Sequence, residues 1–407
     1  MAWNEKYCTP TGAGAHDGSS EANAWTLLEA EAGAVAGDRV NVKAGTHALG
    51  TTSLTFDVDA TTTQPIWWRG YATTIGDLDD DDATAKPLVE FTGTTARASL
   101  SGDHHRFSNL SFKAATTAGA CFTVTSAALA SEFGRCRFEA TAANSASRAF
   151  TDSGRATATR CWFKSTSSAI VVILGPDARF LGNRVEGGLD GVQAGVSATI
   201  LFNVISGCAR YGVDASAVDS VIVNNSIYGC TTAGINFTTL SAASPTLVAN
   251  NVIEGCPEGV RNSSGTATNF IKRLANSYYN CTTANEVGFG DTVDPEILTE
   301  SASPFTAAGS ADFTLLSTAT SKASGVPGRF ENSSFTGYLD RGAVQRQEAG
   351  GGASLDPGDV RLGVDMGGGD TGTCVVPAAS DVWPGVAVDD AVGTLVIEVV
   401  PLIKKGS

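Results

Sequence analysis

Charged side chains are scarce in this 407-residue chain: 17% of residues, with 27 Lys and Arg against 42 Asp and Glu, for a formal net charge of −15. So few cations exclude a protein that wraps nucleic acid, because neutralising a phosphate backbone takes clustered Lys and Arg. An anionic membrane surface is disfavoured for the same reason. Apolar runs of the ~18 residues needed to span a bilayer are missing. The longest candidates, such as Ala169–Leu174, are strand-sized, so membrane insertion is not expected. The opening Met1-Ala-Trp-Asn-Glu-Lys-Tyr has no basic segment followed by an apolar one, so no export signal is expected. Aromatics are few at 8%, yet 42% apolar residues suffice for a core and exclude global disorder.

What the chain has instead is a repeat, set in runs of Ala, Ser and Thr with 46 Gly. The segments Phe202-Asn-Val-Ile-Ser-Gly-Cys208, Asn224-Asn-Ser-Ile-Tyr-Gly-Cys230 and Asn250-Asn-Val-Ile-Glu-Gly-Cys256 share one pattern, and Asn276-Ser-Tyr-Tyr-Asn-Cys281 is a worn copy. Aligning Leu110, Cys136, Cys161, Asn183, Asn203, Asn225, Asn251 and Asn276 gives steps of 26, 25, 22, 20, 22, 26 and 25 residues. A second element recurs within the periods: Gly191-Val, Gly212-Val, Gly234-Ile and Gly259-Val. No ten-residue amphipathic helix fits between them, and the β-branched runs Thr199–Phe202 and Val221–Val223 read as strands. Periods of this length carrying two or three short strands predict an all-β chain folded as a parallel β-helix, a single-strand solenoid. Equivalent residues then stack as columns about 4.8 Å apart. One column is an Asn ladder (Asn203, Asn225, Asn251, Asn276) and another is cysteine (Cys208, Cys230, Cys256, Cys281).

The flanks define the domain organisation. Residues 1–50 read as an N-terminal cap and first coil, with a short capping helix within Trp25–Ala36 ahead of the first strand. Residues 51–345 read as the β-helix, closed by irregular coils around Ala311–Leu316 and Leu339–Val344 that cover its open end. A Gly-rich linker follows at 346–354, then a small C-terminal β module at 355–407. That module has its own repeat: Asp359-Val-Arg-Leu-Gly-Val364 and Asp381-Val-Trp-Pro-Gly-Val386, offset by 22 residues. Its apolar residues Val360, Val364, Val382, Trp383 and Val386 are the expected attachment or oligomerisation surface.

Two columns carry polar chemistry. Lys113, Glu139, Lys164, Glu186, Ser206, Tyr228, Glu254 and Tyr279 stand three residues after the ladder position, and their alternating signs read as an outward salt ladder. With Val192, Val213, Ile235 and Val260 turned inward, alternation turns Gln193, Asp214, Asn236 and Arg261 outward. Those four suit hydrogen bonding to sugar hydroxyls, and Tyr211 and Tyr228 are candidate aromatic faces beside them; the commoner reading of such residues is an ordinary solvated sheet face. Glycosidases need two carboxylates roughly 5–10 Å apart. Only Asp214 is acidic in this row and Asp190 shares parity with core-facing Val192, so no catalytic residue is assigned. The run Asp77–Asp82 lacks the Gly and terminal Glu of a Ca²⁺ loop. His104-His105 lack partners at metal-ligand spacing, and Gly367–Gly372 lacks the Lys-Ser/Thr of a phosphate loop. No metal or cofactor is expected.

The segment Tyr7-Cys-Thr-Pro-Thr-Gly, Asp17-Gly-Ser, Ala22-Asn-Ala-Trp25 and Ala36-Gly-Asp-Arg-Val-Asn-Val-Lys-Ala-Gly-Thr46 resembles the N-terminal cap of pectate-lyase-like right-handed β-helix proteins. The resemblance covers roughly residues 3–345. It implies right-handed coiling but no single activity, since the superfamily holds lyases, hydrolases, epimerases, adhesins and phage tailspikes. The C-terminal Asp-Val-x-x-Gly-Val repeats resemble modules appended to bacteriophage virion proteins. Together with the missing export signal, this implies a virion structural protein: a spike, fibre or capsid decoration made in the host cytoplasm. Its implied partners are other capsid or tail proteins, itself as a homotrimer, and host surface polysaccharide. The alternative from another class is a polysaccharide lyase or glycoside hydrolase, free or as a depolymerising tailspike. Nine cysteines leave at least one unpaired in a monomer. Cys208 to Cys281 read as reduced apolar filler, and Cys8 and Cys374 as candidates for a disulfide after release.

Overall fold

Each period of the sequence folds as one coil of three short strands. The computed structural model describes residues 3–345 except 79–84, 118, 217–218, 239–245, 266–270, 291–293, 323 and 326–339. The linker at 346–354 and the module at 355–407, with Val360, Val364, Cys374, Val382, Trp383 and Val386, lie outside these residues. Among the described residues, stacking the coils builds three parallel sheets of 11, 11 and 10 strands. In one central coil, Arg179–Leu181 belongs to the first sheet, Arg184–Gly187 to the second and Val192–Gln193 to the third. The described residues belong to one compact unit.

The corner between the first and second sheets is held by the column that the repeat spacing defined. The backbone N–H of Asn183 donates to Asn203 Oδ1 (2.8 Å), that of Asn203 to Asn225 Oδ1 (2.9 Å), and that of Asn225 to Asn251 Oδ1 (3.0 Å). Asn251 N–H reaches Asn276 Oδ1 at 3.1 Å. Each Nδ2 meanwhile donates to a first-sheet carbonyl, as from Asn225 to Ile200 O (3.0 Å) and from Asn251 to Ile222 O (2.9 Å). An amide can do this because it carries both donors and an acceptor. Upstream, Cys161 N–H donates to Asn183 Oδ1 at 2.8 Å, and Cys136 N–H to Cys161 Sγ at 3.4 Å. Downstream, the column ends on the Asp294 carboxylate, which accepts from Asn276 N at 3.0 Å. The repeat did not reveal Asp294 because it is not an Asn and lies only 18 residues on.

Register follows from this column. Phe112, Phe138, Phe163, Val185, Ile205, Ile227, Ile253 and Tyr278 pair in sequence along the second sheet and are essentially solvent-free. In the early coils the interior is a phenylalanine stack, with Phe107 on Phe133 at 5.1 Å and Phe138 on Phe163 at 5.1 Å. Burying each such side chain contributes about 1.5–3 kcal/mol. The recurring Gly-Val element has a packing cause: a Cβ on Gly191 or Gly212 would come within 2.6 Å of the next coil's glycine carbonyl and of a core isoleucine. The N-terminal helix spans Leu27–Gly33 and starts in a capping box, with Thr26 Oγ1 accepting from Glu29 N and Glu29 from Thr26 N. Its Leu27 and Ala30 cover the core.

The closing segments differ from the expected irregular coils. The antiparallel pair Phe305–Ala307 and Asp312–Leu315 folds against the outside of the second sheet, where Phe305, Phe313 and Leu315 bury Val252 and pack on Val204 and Tyr228. Apolar outer residues at those coils would otherwise face water. Asp340–Gln345 then crosses the ladder corner. Asn224, held at φ 55°, donates Nδ2 to Asp340 O (3.0 Å), and Gly342 N–H donates to Asn250 O (2.7 Å). This explains the doubled Asn in Asn224-Asn225 and Asn250-Asn251: in each pair the first residue makes the left-handed turn under this segment and the second joins the ladder.

Replacing Asn225 by Ala strips buried partners from Asn203 N–H and Ile200 O, each worth roughly 1–3 kcal/mol. Asn225→Ala is therefore expected to cost about 3 kcal/mol, against about 1 kcal/mol for Cys136→Ala in the same column. Comparison of their denaturation midpoints with wild type checks the difference.

Candidate functional site

The third sheet places Gln193, Asp214, Asn236 and Arg261 side by side on consecutive coils. Val192, Val213, Ile235 and Val260 point into the core with no exposed area, so the alternation is as expected. The depth is not. Asp214 is 4% exposed and Asn236 fully buried, while Gln193 and Arg261 are half-buried. Asp214 Oδ1 accepts from Asn236 Nδ2 (3.3 Å) and Thr238 Oγ1 (3.1 Å), and Asn236 Oδ1 accepts from Ser263 Oγ (3.0 Å). Arg261 Nη1 lies 3.4 Å from Glu258 Oε2. The middle of the row is thus a buried polar network of Asp214, Asn236, Thr238 and Ser263, with Gln193 and Arg261 reaching solvent on either side of it.

Two residues outside the expected set act on it through their charge. Asp190 is fully buried, yet it does not join the apolar core. Arg210 of the next coil grips its carboxylate with Nε at 2.8 Å and Nη2 at 2.5 Å, and Tyr211 N–H adds a bond at 3.3 Å. Arg210 also lies over the Tyr211 ring at 4.6 Å. The sequence signal was the residue before each Gly-Val: Asp190, Tyr211, Ala233 and Glu258 fill that position, and Arg210 precedes it. Burial, reinforced by the Asp190 charge, pushes the Asp214 carboxyl above the ordinary carboxylate range. Hydrogen bonding to Asp190 holds the Arg210 guanidinium firmly protonated. Chemically the cluster offers one strained acid beside a cation. Its other carboxylate, Asp190, is locked in a two-point pair.

The two candidate aromatics separate. Tyr211 is on the third sheet but only 9% exposed. Tyr228 is on the second sheet, its ring edge-on to Phe313 of the closing pair at 6.2 Å, so it does not join this row. The charged column on the second sheet is a ladder only in part: Lys164 reaches Glu186 of the next coil at 3.8 Å, while Lys113 pairs with Glu90 at 3.0 Å and Glu139 with Arg137 of its own strand at 2.8 Å. Its later members Glu254 and Tyr228 are covered by the closing segment, Ser303 Oγ donating to Glu254 at 2.9 Å. Cys8 is a free thiol with no exposed area, in the core under the cap, where burial pushes its pKa far up. A link from Cys8 would require the cap to open. Cys208, Cys230, Cys256 and Cys281 are also free.

Elsewhere the titratable candidates are structural. His105 is buried between Trp68 Nε1 (3.2 Å) and Val58 O (2.8 Å). Asp77 accepts from the backbone N–H of Ala72, Thr73 and Thr74 at 2.7–2.9 Å, closing its own turn. Among the described residues, no group of His, Cys, Asp and Glu is placed to hold a metal ion, and no helix is long and apolar enough to cross a membrane.

Residues 98–276 match the family model described as "Right handed beta helix region". No curated protein sequence matches the chain. Among solved structures, pectate lyase Pel9A is similar with a TM-score of 0.52 at 16% identity, over 85% of this chain and 98% of that one. The Dettilon tailspike protein gives 0.44 at 15% identity, over 73% and 59%. An alginate lyase from Paenibacillus sp. gives 0.40 at 12% identity, over 72% and 97%. The fold is a pectate-lyase-like right-handed parallel β-helix, and at such identities the likeness speaks for fold alone.

A carboxylate held above its usual pKa by burial costs stability wherever it is ionised. Below the unfolded-state pKa both states are protonated and nothing is lost; the cost grows as pH rises through the folded-state value. Asp214→Asn keeps the acceptor and removes the charge. Its thermal midpoint is expected to exceed that of wild type at neutral pH and to converge with it in acid, as thermal unfolding of both across pH will test.

Proposed function

We propose that this right-handed β-helix is a bacteriophage virion structural protein, a spike, fibre or capsid decoration whose lateral faces hold host surface glycans without cutting them. The observation that carries the binding half is that Gln193 and Arg261 reach solvent on the third sheet, at either side of the buried Asp214 and Asn236 on the coils between them. The two-point Arg210–Asp190 pair favours binding over hydrolysis, because it leaves Asp214 without a second free carboxylate. The virion half rests on the resemblance of the C-terminal repeats to phage modules. On this reading the module at 355–407 docks the protein to capsid or tail proteins or joins three copies, with Val360, Val364, Val382, Trp383 and Val386 as its apolar contacts. Protein released from the cell could link Cys374 to Cys8 only if the cap opened.

One observation favours the rival enzymatic reading, a polysaccharide lyase or hydrolase. Asp214 is a buried acid with a raised pKa beside Arg210, and perturbed acids of this kind cluster at catalytic sites. The readings separate in one assay. Purified chain incubated with capsular polysaccharide is expected to retain it but to generate neither new reducing ends nor unsaturated uronates; release of either would replace binding by catalysis. Cutting the chain after Glu348 is expected to leave the solenoid folded and abolish incorporation into particles, measured by mass spectrometry of purified phage. Incorporation at the full-length level would remove the docking role.

A further inference from the structure

The first sheet carries a glycine that the fold does not require. Its outward column reads Ser108, Gly134, Thr159, Leu181, Leu201, Val223, Ala249 and Leu274 in register. Every coil except one places a side chain there. Glycine inside a strand weakens it unless something must approach the backbone closely. At Gly134 φ is not positive, and an added Cβ would meet only Phe107 O at 4.0 Å. Neither turn geometry nor crowding therefore explains the residue.

The missing side chain opens a groove of about 310 Å³ over the sheet, at the lower end of the ~300–1,000 Å³ typical of small-ligand sites. Gly134 is its floor, and Trp67, Arg106, Glu132, Thr157 and Thr159 line it. The wall is fixed in place: Trp67 Nε1 donates to Ser108 Oγ at 2.8 Å, while the Arg39 and Arg69 guanidiniums lie 5.3 Å from the ring. Arg106 and Glu132 pair at 3.2 Å with both side chains about half exposed, so a ligand can take bonds from either. Such surface pairs contribute little to stability.

We propose that this groove is a sugar site, taking one pyranose unit of a glycan chain. An indole wall packs the apolar C–H groups of a pyranose. Arg106 donates to, and Glu132 accepts from, vicinal hydroxyls, and the Thr157 and Thr159 hydroxyls do either. The pairing of donor with acceptor suits a hydroxyl-rich ring better than an ion of either sign. The site lies on a different sheet from the Gln193–Arg261 row and extends the glycan reading of that row.

The fold supplies its own control, since the same column accepts Leu at 181 and 201 and Thr at 159. Full-length wild type, Gly134→Leu and Gly134→Thr are titrated with the methyl α-pyranosides of glucose, galactose, mannose and rhamnose. The Trp67 indole N–H is followed by NMR and identified with Trp67→Phe. At least one glycoside is expected to shift that signal saturably. Gly134→Leu is expected to weaken it at least about tenfold, with a thermal midpoint at or above wild type, and Gly134→Thr to weaken it less. A silent Trp67 signal, wild-type binding in Gly134→Leu, or a lowered midpoint in both variants would overturn the site. If glycosides bind and only a Gln193→Ala/Arg261→Ala variant loses them, this groove falls and the third-sheet row stands. If no glycoside and no capsular polysaccharide binds the chain at all, both fall.

Discussion

Everything outward-facing on this molecule depends on one constraint: each coil must sit in register with the next. A parallel pair of short strands does not enforce that by itself, because two or three ladder bonds per strand leave slippage cheap and a one-residue slip inverts every side chain. The buried amides at Asn183, Asn203, Asn225, Asn251 and Asn276 remove the freedom. Each accepts from the backbone of the coil before it and donates to a carbonyl of the first sheet, so a slipped coil would leave several buried polar groups unpaired at once. The column is also finite. It starts where cysteine sulfur is the acceptor and ends on the Asp294 carboxylate, which takes three backbone N–H groups, those of Ala275, Asn276 and Glu296.

With register fixed, the outer rows become surfaces with different chemistry on each sheet. The second sheet carries ion pairs in its early coils and an apolar seat for the closing segment in its later ones. The third carries the polar network around Asp214. The buried charge of Asp214, and a bare glycine in a strand of the first sheet, are both departures from what stability alone would select, and such departures concentrate where a surface has work to do.

Much of this was legible in the sequence, because a solenoid turns periodicity directly into contact. The spacing from Leu110 to Asn276 identified the ladder, the Gly-Val element marked a column with no room for Cβ, and parity sorted Val213 from Asp214. What stayed hidden depends on depth and on returning chain. Alternation tells direction but not cover, so it could not show that Asp214 and Asn236 are buried. It placed Tyr228 beside Tyr211 although a turn puts them on different sheets. The Asp190–Arg210 pair joins residues 20 apart at positions that are not directly in register, and Asp340–Gln345 meets coils as far back as Asn224, 116 residues from Asp340. No local pattern encodes either contact.

Native-state hydrogen exchange of the full-length chain tests the ladder most directly. Corner turns between strands ordinarily exchange fast, since few of their amides are bonded. Here the backbone amides of Asn183, Asn203, Asn225 and Asn251 are each bonded to a side chain of the next coil, and they are predicted to be as protected as the core residues Val185, Ile205, Ile227 and Ile253. Exchange at these four positions as fast as at the exposed turn residue Val196 would contradict a register held by the asparagine column.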